Sequence, residues 1–279
     1  MKVKYFCFGG LVFALEGEQL PAEVEGYAAQ FLSVPRKPDV VVQVAVADTL
    51  PIPRGKLLYE DYTNRVLENS DRIFLCRRTD HRPEEPEYAV VTYEKQCPDR
   101  IQLYFRADRC SLRYDGILST IMIESLLLRH KRGIFHASWV DDQGAAVLFS
   151  GSSGAGKSTQ AALWRSCCGA ETLNGDKVFL WQGQSWGLPF AGTSGICKNR
   201  TQPIRAVVML RHGSENSLRK LRGTEAVKAA LPQFPIQKWN PADIESAMDL
   251  AVQLVSEVPG YEYSCLPDAS AVTYLKQKL

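Results

Sequence analysis

Residues 149–164 read FSGSSGAGKSTQAALW, an apolar run, then Gly-x-x-x-x-Gly-Lys-Ser from Gly151 to Ser158, then a helical pattern. Glycines at 151, 154 and 156 let a backbone curl until successive N–H groups point inward at a phosphate chain, and the positive end of the following helix adds to that field. Lys157 is expected to bridge the β- and γ-phosphates of a nucleotide, and Ser158 to ligate Mg²⁺. Gly151, Ser152, Ser153, Gly154, Ala155, Gly156, Lys157, Ser158 and Thr159 are therefore the expected nucleotide-binding residues. Ala161, Trp164 and Cys168 recur at helical spacing, which completes the order strand, glycine-rich loop, helix.

A bound phosphate needs an acidic partner, either for the metal or to take a proton. No aspartate following four apolar residues lies downstream of the loop, nor does the Asn-Lys-x-Asp that reads guanine. Asp141-Asp142-Gln143-Gly144 precedes the loop and reads as a hairpin turn, and Asp48 reads as the end of a strand. Asp176, in ETLNGDKVFLW, lies one helix and one turn beyond Lys157, where a chain returning to the sheet comes back to the phosphate edge. There it either ligates Mg²⁺ or accepts a hydroxyl proton, or else serves as an ordinary turn aspartate.

The elements that must position these groups are legible around them. FHASWV (135–140) and AAVLFS (145–150) form two strands joined by DDQG, with Gly144 free to take a positive φ. Antiparallel pairing sets His136 opposite Phe149, or one residue away if a bulge intervenes, level with the mouth of the loop. A helix is expected over 113–131, closed by Arg129, His130 and Lys131. Asn240 caps another, with Pro241 at its first position and Ile244, Met248, Val252 and Val255 along one face. A last helix covers 268–278 through Val272, Leu275 and Leu279. Before residue 110 the chain is strand-like, at 40–48, 72–78, 88–94 and 100–106, with loops at 35–38, 51–56 and 79–87. The start, MKVKYFCFGGLVFALEG, resembles a short leader but splits at Gly9-Gly10 into two strand-like pieces, 3–8 and 11–15, which reads as a hairpin.

With 45% hydrophobic and 23% charged residues among 279, the chain has the composition of an ordinary globular protein, large enough for two unequal domains. Its 33 basic and 31 acidic residues leave a net charge of +2, which gives no basic field to recommend nucleic acid as a partner. Eight cysteines without Cys-x-x-Cys spacing suggest free thiols in a reducing cytoplasm rather than a zinc site or disulfide frame. The most apolar later run, 117–128, is interrupted by Glu124 and too short to span a bilayer, so no membrane association is expected.

The run HASWVDDQGAAVLFSGSSGAGKSTQAALW, with LNGDKVFL after it, resembles the core of HPr serine kinase/phosphorylase and its HPr-kinase-related relatives. These share a phosphate-loop fold with ATP-dependent phosphoenolpyruvate carboxykinases. The likeness covers 133–181 well, continues loosely to the C-terminus and says little about 1–110. It implies an α/β fold with a phosphate-loop kinase core, 113–279, and the strand-like segments before it make 1–112 a β-rich N-terminal region. It also implies that Asp176 is the base toward a seryl hydroxyl, with His136 matching a family histidine at the start of the strand before the loop. In that family an aspartate pair follows the loop helix; Asp176 matches its second member, while Gly175 stands in place of the first. The family's glutamate-bearing signature and basic substrate loop have no match in WGLPFAGTSGICKNR (186–200) or LPQFPIQKWNP (231–241), where Lys198 and Arg200 either serve an anion or are solvated charges.

The expectation is thus an ATP- and Mg²⁺-dependent kinase, catalytic through Asp176, His136 and Lys157, with Ser158 and Asp176 on the metal. Its acceptor would be a serine-bearing protein or peptide, and a homo-oligomer is compatible with it. A non-catalytic nucleotide sensor and an NTPase without an acceptor are the rival readings.

Overall fold

The computed structural model describes residues 1–79, 84–110 and 112–279. The chain divides into two compact units, Met1–Ile123 and Glu124–Leu279, so the segment 113–123 goes with the first unit and not with the second.

In the first unit, β1 (Lys2–Phe8) and β2 (Leu11–Gly17) form the hairpin expected at Gly9-Gly10. The φ values of these two glycines, 56° and 72°, are the left-handed pair that a two-residue turn requires. With β3 (Val40–Ala47), β4 (Lys56–Glu60), β5 (Asn64–Glu68), β6 (Arg72–Arg77), β7 (Ala89–Glu94) and β8 (Cys97–Arg106) the hairpin builds one sheet, in the order β1-β2-β3-β8-β7-β6-β5-β4. The hairpin β4–β5 was not anticipated, because KLLYE and NRVLE carry little alternation. Its turn is set by Asp61, whose Oδ1 accepts from the backbone N–H of Thr63 (2.8 Å) and Asn64 (2.7 Å). Part of the expected loop 79–87, residues 80–83, lies outside the described residues. Phe6, Phe13, Val42 and Leu103 are fully buried, and Phe6 packs on Tyr114 of α1 (Tyr114–Thr120) at 5.3 Å between ring centroids.

The single helix expected over 113–131 is in fact two. α1 stops at Thr120 and α2 (Ile123–Arg129) begins after Met122, whose φ is +52°. Ser119 and Thr120 both turn their hydroxyls back onto the Gly116 carbonyl, at 2.9 and 2.8 Å, a local bond that competes with the helical ladder.

The second unit is mixed α/β. Its strands are β9 (Gly133–Asp142), β10 (Ala145–Ser150), β11 (Glu171–Asn174), β12 (Lys177–Trp181), β13 (Gln184–Trp186), β14 (Thr201–His212), β15 (Ser217–Lys220) and β16 (Gly260–Cys265). Its further helices are α3 (Lys157–Cys168), α4 (Gly223–Ala230), α5 (Pro241–Glu257) and α6 (Ala269–Lys276). The sheet runs β10-β9-β12-β13-β14-β16-β15, with β11 beside β9. A parallel pairing of β10 with β14 closes the path β10-β9-β12-β13-β14 on itself.

Alternate residues of β10 feed two cores. Val147 and Phe149 join Trp164 of α3 and Val272 and Leu275 of α6, while Ala146 and Leu148 join Ala247, Leu250 and Leu254 of α5. A strand buried on both faces reads as a continuous apolar run, which is why AAVLF is legible as strand yet silent about its faces. Of the apolar stripe expected on α5, only Val255 packs against the core, and it is partly buried. Ala247, Leu250, Ala251 and Leu254 face the core, and Ile244, Met248 and Val252 remain 40–49% exposed. The small side chains of Ala247 and Ala251 let the helix seat closely, which the larger residues of the adjacent stripe do not.

The β9–β10 connection is a two-residue turn at Gln143-Gly144, with φ of 57° and 85°, and not a four-residue loop. Asp141 Oδ1 accepts from Gly144 N–H at 2.7 Å, as a turn residue does. The shorter turn shifts the register, so that Phe149 faces Ser138, Ser150 faces Ala137, and His136 lies one step further, abreast of Gly151. No helix among the described residues is long and apolar enough to cross a membrane.

Candidate functional site

β10 delivers the chain into the glycine-rich loop. Gly151 takes φ +136°, and a Cβ there would lie 3.0 Å from the Leu210 carbonyl of β14, so only glycine lets the loop leave the sheet this close to its neighbour. Gly154 (φ +80°) and Gly156 (φ +99°) complete the curl, and Gly156 is the N-cap of α3. Ser152, Ser153, Gly154, Ser158 and Thr159 are exposed, Gly156 and Lys157 partly so, while Gly151 and Ala155 are buried. Trp164, fully buried edge-on to Phe149 at 5.5 Å, fixes the helix to the strand beneath the loop. The result is an exposed helix N-terminus preceded by a curled backbone, an arrangement that favours an anion.

Lys157 bends back across this loop. Its Nζ donates to the carbonyls of Gly151 (3.0 Å) and Ser152 (3.1 Å). Burial lowers its pKa from the ordinary lysine value, and the nearby Asp176 carboxylate opposes that effect.

Asp176 is held at the turn between β11 and β12 by Asn174, which is 1% exposed. Asn174 Oδ1 accepts from the backbone N–H of Asp176 (2.9 Å) and Lys177 (3.0 Å), and its Nδ2 donates to the Phe190 carbonyl at 2.7 Å. Two bonds from β9 anchor the same turn, Ala137 N–H to the Asp176 carbonyl (3.1 Å) and Ser138 Oγ to the Gly175 carbonyl (2.9 Å). β9 lies between β10 on one edge and β12 and β11 on the other, pairing there with β12 up to His136 and with β11 from Trp139, so the 175–176 turn falls between those two pairings. His136, paired with Lys177, stands beside that turn, and its Nε2–H donates to Asp176 Oδ1 at 3.0 Å. This hydrogen bond is the main reason the Asp176 carboxyl titrates below the usual carboxylate range. Partial burial opposes it, and the charges of His136, Lys177 and Lys157 add to it.

The sequence-predicted residues Asp176, His136 and Lys157 are thus brought to one place, at the loop mouth. Three contributors were missed. Asn174 signalled only a turn, since its bond to Phe190 depends on a segment distant in sequence. His212, at the end of β14, donates through Nε2–H to the Gly154 carbonyl at 2.8 Å and braces the loop from the neighbouring strand. Its only sequence signal was its place at the end of an apolar run.

The third is Gly192, in a short 3-10 turn at Gly192–Ser194. At φ +56°, a Cβ on Gly192 would lie 2.5 Å from Asp176 Cβ and 2.6 Å from its Oδ2. Gly175 is likewise constrained, because a Cβ there would lie 2.4 Å from Ser194 Cβ. An aspartate at 175 does not fit beneath this turn.

Lys198 reaches Glu171 at 3.8 Å rather than the loop mouth. The 231–241 segment is committed to packing, with Phe234 buried against Phe135 at 5.2 Å. Among the described residues no cluster of three or more His, Cys, Asp and Glu side chains gathers as a metal site. No protein-family model matches the chain, and no curated protein matches it significantly.

Proposed function

We propose that this chain is an ATP-dependent kinase with a phosphate-loop core of the HPr-kinase-like kind, transferring the γ-phosphoryl group to a serine hydroxyl of a protein or peptide. The observation that supports this reading is the Asp176–His136 pair at the mouth of the glycine-rich loop, close enough to Lys157 for the two charges to interact.

In this reading Lys157 exchanges its bonds to the Gly151 and Ser152 carbonyls for the β- and γ-phosphate oxygens, an exchange that needs only side-chain rotation. Ser158, exposed, and Asp176 are the hard oxygen donors that would hold Mg²⁺, which typically takes one or two protein ligands and fills the rest with phosphate oxygens and water. When bound, that ion offsets charge on the β- and γ-phosphates. His136 fixes Oδ1 of Asp176 and favours its ionised form, so the carboxylate stands ready to take the acceptor's proton. A carboxylate with a depressed pKa is a weak base in the ground state. Its role is to position the hydroxyl and receive the proton late, as suits a loose phosphoryl-transfer transition state.

The test is Asp176→Asn, which keeps the shape of the side chain and removes its charge. Mg·ATP binding measured by calorimetry should persist, while single-turnover transfer from γ-labelled ATP to serine-bearing peptides should fall by a factor on the order of 10² or more. Wild-type transfer by this variant would return Asp176 to the role of a turn residue. Label released only as free phosphate from the native protein would favour an NTPase, and intact ATP a nucleotide sensor.

A further inference from the structure

The segment 190–197 is stapled over Asp176. Asn174 Nδ2 holds the Phe190 carbonyl, Asn174 and Cys197 form an isolated β-bridge, and Lys198 N–H bonds the Leu173 carbonyl at 3.0 Å. Between these fixed ends Gly192 lies against Asp176 and Ser194 against Gly175. The two carboxylate oxygens therefore have different surroundings. Oδ1 is engaged by His136, and Oδ2 faces the 192–194 turn.

The residue between the two contacts is Thr193. It is exposed, and its hydroxyl has no hydrogen-bond partner among the described residues. The adjacent Ser194 hydroxyl is, by contrast, fully used. It donates to the Ala191 carbonyl at 2.8 Å and accepts from Ile196 N–H at 3.2 Å. A free hydroxyl is thus held one residue from Gly192, whose backbone lies against Asp176 Oδ2.

We propose that Thr193 is a phosphoryl acceptor in cis, a site of self-modification; this rests on the kinase reading above. In the step, Thr193 Oγ1 forms a bond to the γ-phosphorus as the bond from that phosphorus to the β,γ-bridging oxygen breaks. ADP leaves with the bond's electron pair, and the hydroxyl proton passes to Asp176. The phosphothreonine carries nearly two negative charges beside the Asp176 carboxylate, so the product repels the turn from the base and opens that side to an external hydroxyl.

The experiment uses the full-length purified protein with Mg·ATP and no added acceptor. Intact mass should rise by one phosphoryl group per chain, and the tryptic peptide 178–198 should carry it at Thr193. The rate constant should not change on dilution of the protein, as expected for reaction within one chain. Thr193→Val, which keeps the shape and removes the hydroxyl, should abolish the modification, and Thr193→Ser should retain it. Phosphate on another residue, or turnover of ATP to water or to serine-bearing peptides with 178–198 unmodified, would overturn Thr193 and leave the phosphoryl-transfer reading standing or reduced to hydrolysis. Intact ATP under every condition would overturn both.

Discussion

Gly192→Ala offers the sharpest test of how the site is held, because its consequence is set by distances. The added Cβ would stand 2.5 Å from Asp176 Cβ and 2.6 Å from Oδ2, whereas ordinary contact begins at 3.4 Å, so about 1 Å must be found. The turn cannot simply retreat, since Asn174 ties Phe190 at one end and bridges Cys197 at the other. The φ of +56° adds a backbone cost of about 1–2 kcal/mol for an L-residue with a side chain. Asp176 is the softer partner, tethered through its carboxylate by a single hydrogen bond to His136. A displacement of about 1 Å at a reacting group costs on the order of 10² in rate. The loop 151–156 is held separately by β10 and α3, so nucleotide affinity should stay within a few-fold of wild type. The assay pairs calorimetric Mg·ATP binding with single-turnover phosphoryl transfer on one preparation. An alanine variant that folds, binds and transfers at the wild-type rate would refute the argument that Gly192 is glycine because Asp176 lies beneath it.

Lys157→Ala should weaken Mg·ATP binding by about 10- to 100-fold, the value of one charge-assisted hydrogen bond, with circular dichroism unchanged. The folded-state pKa of Asp176 is depressed, so its contribution to stability is present above the unfolded value near 3.9 and is lost as pH falls through the lower folded value. Urea midpoints of wild type and Asp176→Asn should therefore differ most above pH ~4 and converge in stronger acid; a gap independent of pH would refute the His136 tether. Thiol reagents at pH 8 should label exposed Cys97, Cys167 and Cys168 quickly, and spare Cys76 and Cys197, whose thiols burial pushes up to about 11, until urea unfolds the chain.

Reading the sequence failed where two local solutions were equally good. α5 carries two apolar stripes one residue apart, and periodicity gives no reason to prefer Ala247 and Ala251 over Met248 and Val252. The continuous apolar pattern through Ile121, Met122 and Ile123 gives no sign of a break, because all three are buried once it has occurred. β4 and β5 exist because β6 offers an edge to pair with, and their own residues say little.

What the sequence determined by itself was chemistry confined to a few consecutive residues. The hairpin at Gly9-Gly10, the positive φ of Gly144 and the glycine-rich run leading into a helix are set within one turn's length of chain, by steric rules acting on neighbouring residues. Placing His136 against Asp176 depended on β12 pairing with β9 in the register that sets Lys177 opposite His136, and fixing Asp176 depended on Asn174 reaching Phe190 across a loop. The tertiary structure also decided why residue 175 is glycine, since only the packed turn at 192–194 takes the space a side chain would occupy. Contacts between segments distant in sequence are selected by the packing of the whole unit and leave no local pattern to read.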